Sequence, residues 1–142
     1  MKKILILNGP NLNLQGQRQQ QVYGTATFED FIPTLQKQFP DADIHYHQSN
    51  VEGELVNKLH EVGFTYDGII LNAGAYSHTS IALHDAVAAI KAPVIEVHIS
   101  NIYARETFRH TDVITSVCRG MICGLGMEGY RLALEALTTS TD

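Results

Sequence analysis

Short apolar or alternating runs follow one another with helical patterns between them, and this alternation restricts the fold more than any other feature. The runs predict strands at residues 2–7, 44–49, 68–71 and 94–99, and a fifth strand within residues 113–121. Apolar residues at helical spacing predict helices at residues 27–39, 51–62, 81–90 and 127–137. Strands that alternate with helices form a parallel sheet covered on both faces. We therefore predict an α/β fold, a flavodoxin-like, doubly wound three-layer sandwich around a five-stranded parallel sheet.

Length, charge and hydropathy exclude several classes of protein. The chain has 142 residues and no linker or low-complexity tract, so we predict a single domain over residues 1–142. A net charge of −5 with ten scattered Lys and Arg residues argues against a nucleic-acid surface. No apolar run approaches the ~20 residues that cross a bilayer, and the apolar run after Lys3 is shorter than a signal-peptide core. We expect a cytoplasmic protein without nucleic-acid or membrane partners.

A long irregular segment separates the first predicted strand from the first predicted helix. Strand-to-helix loops usually have about two to six residues, and longer loops in compact domains are functional or disordered. This segment, residues 8–24, carries Asn11, Arg18 and Tyr23 between glycines. We interpret it as an active-site loop. From spacing alone, a second interpretation fits these two residues equally well. In it, Arg18 is a solvated loop charge and Tyr23 is an aromatic side chain packed on the surface.

Polar side chains also follow the third and fourth predicted strands, where the carboxyl ends of parallel strands should bring them together. Glu96 and His98 lie two residues apart, so both side chains should leave the same face of a strand. A carboxylate in an apolar strand is costly unless it is paired, and we predict a functional Glu96–His98 pair rather than a lone core histidine. No histidine spacing matches a zinc site, and the only G-x-G-x-x-G, at residues 124–129, precedes the last helix. We therefore expect no metal and no cofactor.

Three segments of the sequence together resemble the type II 3-dehydroquinate dehydratases. They are LNGPNLNL with GQRQQQVYG, then LNAGAYSHTSIALHDA, then PVIEVHISNIYARETFRH, and they follow one another over essentially the whole chain. The resemblance implies conversion of 3-dehydroquinate to 3-dehydroshikimate by anti elimination of water through an enolate, without metal or cofactor, in the shikimate pathway. It also implies a homo-oligomer, a dodecamer built from trimers.

The resemblance implies a role for each of five catalytic residues. Tyr23 would remove the proton alpha to the ketone. Because an unperturbed tyrosine, with a pKa of about 10, is a poor base at neutral pH, Arg18 would favour its phenolate. His98 would protonate the departing hydroxyl and would be oriented by Glu96. Asn11 would position a water against the enolate oxygen.

Six further positions match those that hold the substrate in the family. Asn72, Ile99 and Ser100 would bind it, the last two through its carboxylate. His78, Asp85 and Arg109 would face its ring hydroxyls, with Asp85 reaching across from a neighbouring subunit.

The chain departs from the family in the long loop. The family usually has a leucine at Gln15 and Glu-Pro at residues 19–20, whereas residues 17–21 here are glutamine except for Arg18. Without the proline this segment has more conformational freedom to lose, so we expect closure of the loop to cost more entropy.

Two alternative functions fit parts of the sequence. A non-catalytic flavodoxin-like binding or receiver module would carry flavin or an acidic phosphoacceptor site, although Asn8, Asn72 and Glu96 are a poor acidic cluster. A lyase or isomerase acting on another hydroxy-ketone could use the same base and acid.

Overall fold

The computed structural model describes residues 1–14 and 27–139 and confirms the predicted fold. Five parallel strands form one sheet in the order β2-β1-β3-β4-β5. The strands are β1 (Lys2–Asn8), β2 (Ala42–Gln48), β3 (Gly68–Asn72), β4 (Val94–His98) and β5 (Gly120–Cys123). The helices are α1 (Phe28–Gln38), α2 (Glu52–Val62), α3 (Ile81–Ala89) and α4 (Glu128–Thr139). The direction of winding reverses between β1 and β3, which is where open α/β sheets bind ligands.

The side chains of β1 divide between two hydrophobic cores. Ile4 and Ile6 pack in a cluster with apolar residues of α1 and α4. Leu5 and Leu7 pack in a second cluster with residues of α2 and α3. Because neighbouring side chains of a strand point to opposite faces, this strand is apolar throughout, and the sheet becomes the middle of three layers. None of the helices in the described ranges combines the length and the apolar character needed to span a bilayer.

Helix α1 begins where the sequence predicts. The Thr27 side chain accepts a hydrogen bond from the Asp30 backbone N–H at 3.2 Å, which makes Thr27 the N-cap. Pro33 lies inside the helix, and its missing N–H removes one hydrogen bond of the helical ladder. The helix nevertheless begins at Phe28, so the proline does not delay its start.

The fifth strand lies later than predicted. Only Gly120 and Met121 of β5 fall within the predicted range, and residues 113–119 form turns instead. The cause is Asp112, whose Oδ1 accepts hydrogen bonds from the backbone N–H groups of Ile114 and Thr115 at 2.8 and 3.1 Å. This arrangement turns the backbone and buries Ile114 completely, so pairing with β4 can begin only after the turn.

Gly63 is the C-cap of α2, but it does not adopt a left-handed conformation. Its φ is −63°, which any residue adopts. The constraint is instead space, because a Cβ at this position would lie 2.3 Å from Cγ2 of Ile90.

Candidate active site

A pocket of about 580 Å³, counted with its open mouth, lies at the carboxyl ends of β1, β3 and β4. Ligand pockets usually occupy about 300–1,000 Å³. Its walls come from the turn after β1, the turn after β3 and the segment that follows β4. The lining residues are Pro10, Asn11, Leu12, Asn72, Gly74, Ala75, His78, His98, Ile99, Ser100, Ile102, Arg105 and Arg109.

A buried cluster of three hydrogen-bonded residues, Asn8, Asn72 and Tyr130, lies beneath the pocket. Asn8 and Asn72 lie opposite each other in the register of β1 and β3. The Tyr130 hydroxyl, from α4, donates to Asn8 Oδ1 at 2.8 Å and accepts from Asn72 Nδ2 at 2.9 Å. Burial raises the pKa of Tyr130 well above its usual range, so this hydroxyl keeps its proton. Asn72 Oδ1 accepts from the Gly74 N–H at 3.1 Å, and both ends of the Asn72 amide are therefore fixed.

The turn after β1 is held against β3. The Gly9 N–H donates to the Asn72 carbonyl at 2.7 Å, and a Cβ on Gly9 would lie 2.6 Å from the Ala73 carbonyl oxygen. Asn11 has a φ of 70°, a left-handed conformation that asparagine tolerates better than most residues. Its backbone N–H donates to Asn50 Oδ1 at 3.0 Å. Asn11 therefore stands at a defined place on the rim of the pocket.

His98 lies at the end of β4 with two carboxylates at the same ring nitrogen. Nε2 is 2.7 Å from Glu96 Oε2 and 3.2 Å from Asp112 Oδ2. Thr115 donates its hydroxyl to Glu96 Oε1 at 2.5 Å. Glu96 is fully buried and His98 is 5% exposed. The prediction that Glu96 and His98 leave the same face of a strand and pair is confirmed.

The protonation states of this cluster follow from burial and hydrogen bonding together. Burial by itself would lower the pKa of His98, but the hydrogen bonds and charges of Asp112 and Glu96 outweigh it and raise the pKa to about 9. Burial raises the pKa of Glu96, against the hydrogen bond from His98. For Asp112 burial is outweighed by hydrogen bonds from His98 and from two backbone N–H groups, which hold its pKa well below the usual range. At neutral pH His98 is therefore a cation beside an ionised Asp112.

The same three residues are the candidates for holding a metal ion among residues 1–14 and 27–139. Their donor atoms lie within 4.8 Å of one another. The distances of 2.7 and 3.2 Å to Nε2 are those of hydrogen bonds, and one proton on Nε2 satisfies both carboxylates. The arrangement fits a shared proton.

The pocket also presents a second imidazole and two guanidinium groups. The His78 ring stacks near the His98 ring, with centroids 6.2 Å apart, and its Nδ1 lies 2.8 Å from the Thr111 carbonyl oxygen. Arg105 donates from Nη1 to Ser100 Oγ at 3.2 Å, and Arg109 donates from Nε to Glu106 at 2.9 Å. Positive groups around a polar pocket favour an anionic ligand, because guanidinium hydrogen bonds to carboxylates are charge-assisted.

Known proteins resemble this chain in sequence and in fold. The family model described as "Dehydroquinase class II" matches residues 2–138. The chain belongs to the class II dehydroquinase family. A 3-dehydroquinate dehydratase from Bacillus licheniformis is 57% identical over 138 residues, covering 95% of this chain and 94% of the relative. Another from an Exiguobacterium strain is 53% identical over 136 residues, covering 95% and 93%. The crystal structure of the type II dehydroquinase from Butyrivibrio crossotus superposes with a TM-score of 0.94 at 41% identity, covering 97% of this chain and 98% of that one.

The pocket of this dehydroquinase brings together most of the site residues predicted from the sequence. Those that line it are Asn11, Asn72, His78, His98, Ile99, Ser100 and Arg109. Glu96 lies behind His98. Asp85 is exposed on α3 and does not line the pocket of its own chain. Arg18 and Tyr23, with the glutamine run, lie outside the described residues.

The structure adds residues to the dehydroquinase site that the sequence reasoning missed. Asp112 and Thr115 reach the Glu96–His98 pair from the segment before β5, and Tyr130 reaches the pocket floor from α4. The local sequence around Asp112 indicates that this aspartate begins a turn. It gives no sign that its side chain contacts His98. From its place in the helical pattern, the sequence predicts Tyr130 only as an aromatic residue of the core.

Proposed function

We propose that this chain is a 3-dehydroquinate dehydratase that eliminates water from 3-dehydroquinate in the anti sense, through an enolate, to give 3-dehydroshikimate. The observation that carries the proposal is the position of the His98 side chain. Its ring lines the pocket while Nε2 is bound to buried carboxylates. An imidazole held in this way is a proton donor aimed at a ligand, which is what the departing hydroxyl needs.

His98 acts as the general acid. With a pKa raised to about 9 it is protonated at neutral pH. Its Nε2 proton is shared with Glu96 and Asp112, so Nδ1–H is the proton that can reach the substrate. Transfer of that proton to the C1 hydroxyl as the C–O bond breaks releases water and leaves neutral imidazole. Glu96 positions the ring by bonding to Nε2 at 2.7 Å.

The base and the oxyanion contacts are assigned by family position. Tyr23, as the phenolate, removes the proton alpha to the ketone, and Arg18 stabilises that phenolate and the charge of the transition state. Asn11 positions a water against the enolate oxygen. Its place on the pocket rim, fixed by the bond to Asn50, supports this role. No metal or cofactor takes part in these steps.

Substrate binding uses the floor and the walls of the pocket. Ile99 and Ser100 bind the carboxylate and Asn72 binds the ring, supported by their positions at the ends of β4 and β3. His78 and Arg109 face the ring hydroxyls, supported by their positions in the lining of the pocket. The enzyme works in the cytoplasm as a homo-oligomer, a dodecamer built from trimers, in aromatic amino acid biosynthesis.

The direct test mixes purified protein with 3-dehydroquinate in the presence of EDTA. We expect the ultraviolet absorbance of the conjugated enone product to appear. Tyr23→Phe, Arg18→Ala and His98→Gln should each remove most turnover while circular dichroism stays unchanged. Folded wild-type protein that yields no product would refute the dehydratase, and wild-type rates in these variants would refute their roles.

Asp85 can be tested by mixing two inactive variants. The exposed position of Asp85 on α3, away from the pocket of its own chain, supports a contribution to a neighbouring site. Subunits of Asp85→Ala and His98→Gln, dissociated and reassembled together, should regain activity, because some sites would combine an intact Asp85 with an intact His98. Light scattering gives the oligomer mass. Reassembly to full mass without activity would show that Asp85 serves only its own chain.

A further inference from the structure

Asp112 makes a contact that the steps above do not need. A single carboxylate, Glu96, would suffice to orient His98. Yet Asp112 Oδ2 lies 3.2 Å from the same nitrogen, with a side chain only 5% exposed. Burying a second carboxylate beside the first is costly unless its negative charge is paired with a positive one.

Asp112 is also the more firmly anchored of the two carboxylates. Its Oδ1 accepts the backbone N–H groups of Ile114 and Thr115 at 2.8 and 3.1 Å, which leaves Oδ2 directed at His98. Glu96, in contrast, takes its second hydrogen bond from the Thr115 hydroxyl and is completely buried. Backbone N–H groups stabilise an ionised carboxylate, while burial opposes ionisation. The negative charge next to Nε2 therefore belongs mainly to Asp112.

We propose that Asp112 is a positioning residue that, with Glu96, clamps Nε2 of His98 and keeps the imidazolium charged until the proton is delivered to the leaving hydroxyl. This proposal rests on the proposed dehydratase function. In this arrangement Glu96 sets the orientation of the ring, and Asp112 supplies the charge that retains the proton.

The other ionisable groups around His98 support this division. His78 stacks on its ring, and Arg105 and Arg109 line the same pocket. These cationic or neutral groups do not stabilise an imidazolium. Cys118 lies near the carboxylates, and burial together with their charges raises the pKa of its thiol to about 12 and keeps it neutral. Among the described residues, the carboxylates that face His98 are those of Glu96 and Asp112.

Two substitutions separate the charge of Asp112 from its role in the turn. Asp112→Asn keeps an oxygen for the two backbone N–H groups but places an amide N–H against Nε2, which favours neutral imidazole. Asp112→Ser can still accept those backbone hydrogen bonds but is too short to reach His98. Asp43→Asn is the matched control, because Asp43 pairs with His45 at 3.0 Å on the exposed surface.

The measurements are the pH dependence of kcat and the NMR titration of His98 in protein labelled at histidine Cε1, assigned with His98→Gln. In Asp112→Asn we expect the alkaline limb of kcat and the His98 midpoint to move down by at least about one pH unit. Above both midpoints, near pH 10, kcat should then fall about tenfold or more, since one pKa unit is tenfold. At pH 6 kcat should stay within about threefold of wild type. Asp112→Ser should move both midpoints in the same direction by a smaller amount.

Three results would overturn the proposal. One is an unmoved His98 midpoint in both Asp112 variants, and another is a loss of kcat by the same factor at every pH, which indicates a structural defect. The third is an equal shift in Asp43→Asn, which would reflect net charge alone. If wild-type protein fails to convert 3-dehydroquinate, the dehydratase is refuted, while the NMR titration still decides whether Asp112 holds the His98 proton.

Discussion

Replacing Tyr130 with phenylalanine removes one buried oxygen that lies behind Asn72 of the pocket and keeps the ring. That ring is completely buried and packs edge-on against Phe28, with centroids 5.3 Å apart. The packing should survive the substitution. The hydroxyl, however, joins Asn8 and Asn72 at 2.8 and 2.9 Å, and without it a buried acceptor and a buried donor lose their partner.

The expected cost follows from those two groups. A buried polar group left without a partner costs about 1–3 kcal/mol, so two together give about 2–6 kcal/mol. At roughly 3 °C per kcal/mol for a chain of this size, the melting temperature should fall by roughly 6–18 °C. Because Asn72 lines the pocket, the freed amide should also raise KM more than it lowers kcat.

Urea unfolding followed by circular dichroism measures the change in unfolding free energy, with all proteins at one subunit concentration because assembly contributes to stability. Tyr46→Phe is the matched control. The Tyr46 hydroxyl takes part in one hydrogen bond of the same group, from Asn8 Nδ2 at 3.2 Å, and its side chain is only half-buried. We expect this control to cost about 1 kcal/mol or less. Equal unfolding free energies for Tyr130→Phe and wild type would refute the assignment of this hydroxyl as the link between the two asparagines.

Two further predictions concern backbone fit and pH. Gly9→Ala should destabilise the fold and impair turnover, because its Cβ would lie 2.6 Å from the Ala73 carbonyl oxygen. Gly53→Ala has open space around its Cβ inside α2 and should raise the free energy of unfolding by about 0.5–1 kcal/mol. Thermal melts compare the two variants, and similar shifts would contradict the steric argument. The pKa of His98 is raised from 6.5 to about 9, so its stabilisation is complete below pH 6.5 and is lost as the pH rises through 9, by up to roughly 3 kcal/mol. Urea unfolding across this range should show the decline in wild type and a flatter profile in His98→Gln, and parallel profiles would argue against the raised pKa.

The fold was predictable because the spacing of apolar residues in the sequence matches the way the strands and helices are buried. Adjacent residues of β1 enter different cores, as with Ile4 and Leu5. A strand of this kind must be apolar at every position, and such a run is easy to recognise. β5 gives no comparable signal, since all four of its residues are half-buried. Its start is set by the Asp112 turn, which depends on side-chain hydrogen bonds rather than on periodicity.

The site was predictable where the strands themselves deliver the residues. Asn72 and the Glu96–His98 pair sit at the ends of buried strands, and parallel pairing brings those ends to one edge. Asp112 escaped prediction because it approaches His98 from 14 residues along an irregular segment. The distance between Asp112 and the ring depends on how that segment folds, which no local pattern encodes.

The pocket draws its groups from opposite faces of the sheet, and this division predicts how distant substitutions will act. Asn72 turns toward Tyr130 and the core beneath α4. Glu96 is paired in register with Leu71, whose side chain lies in the core beneath α2 and α3. Because adjacent residues of a strand face opposite sides, neither core can support both groups. Changes around Tyr130 should therefore appear mainly in substrate affinity. Changes around Thr115 and Asp112 should appear mainly in kcat and its pH dependence, because they act on the proton of His98.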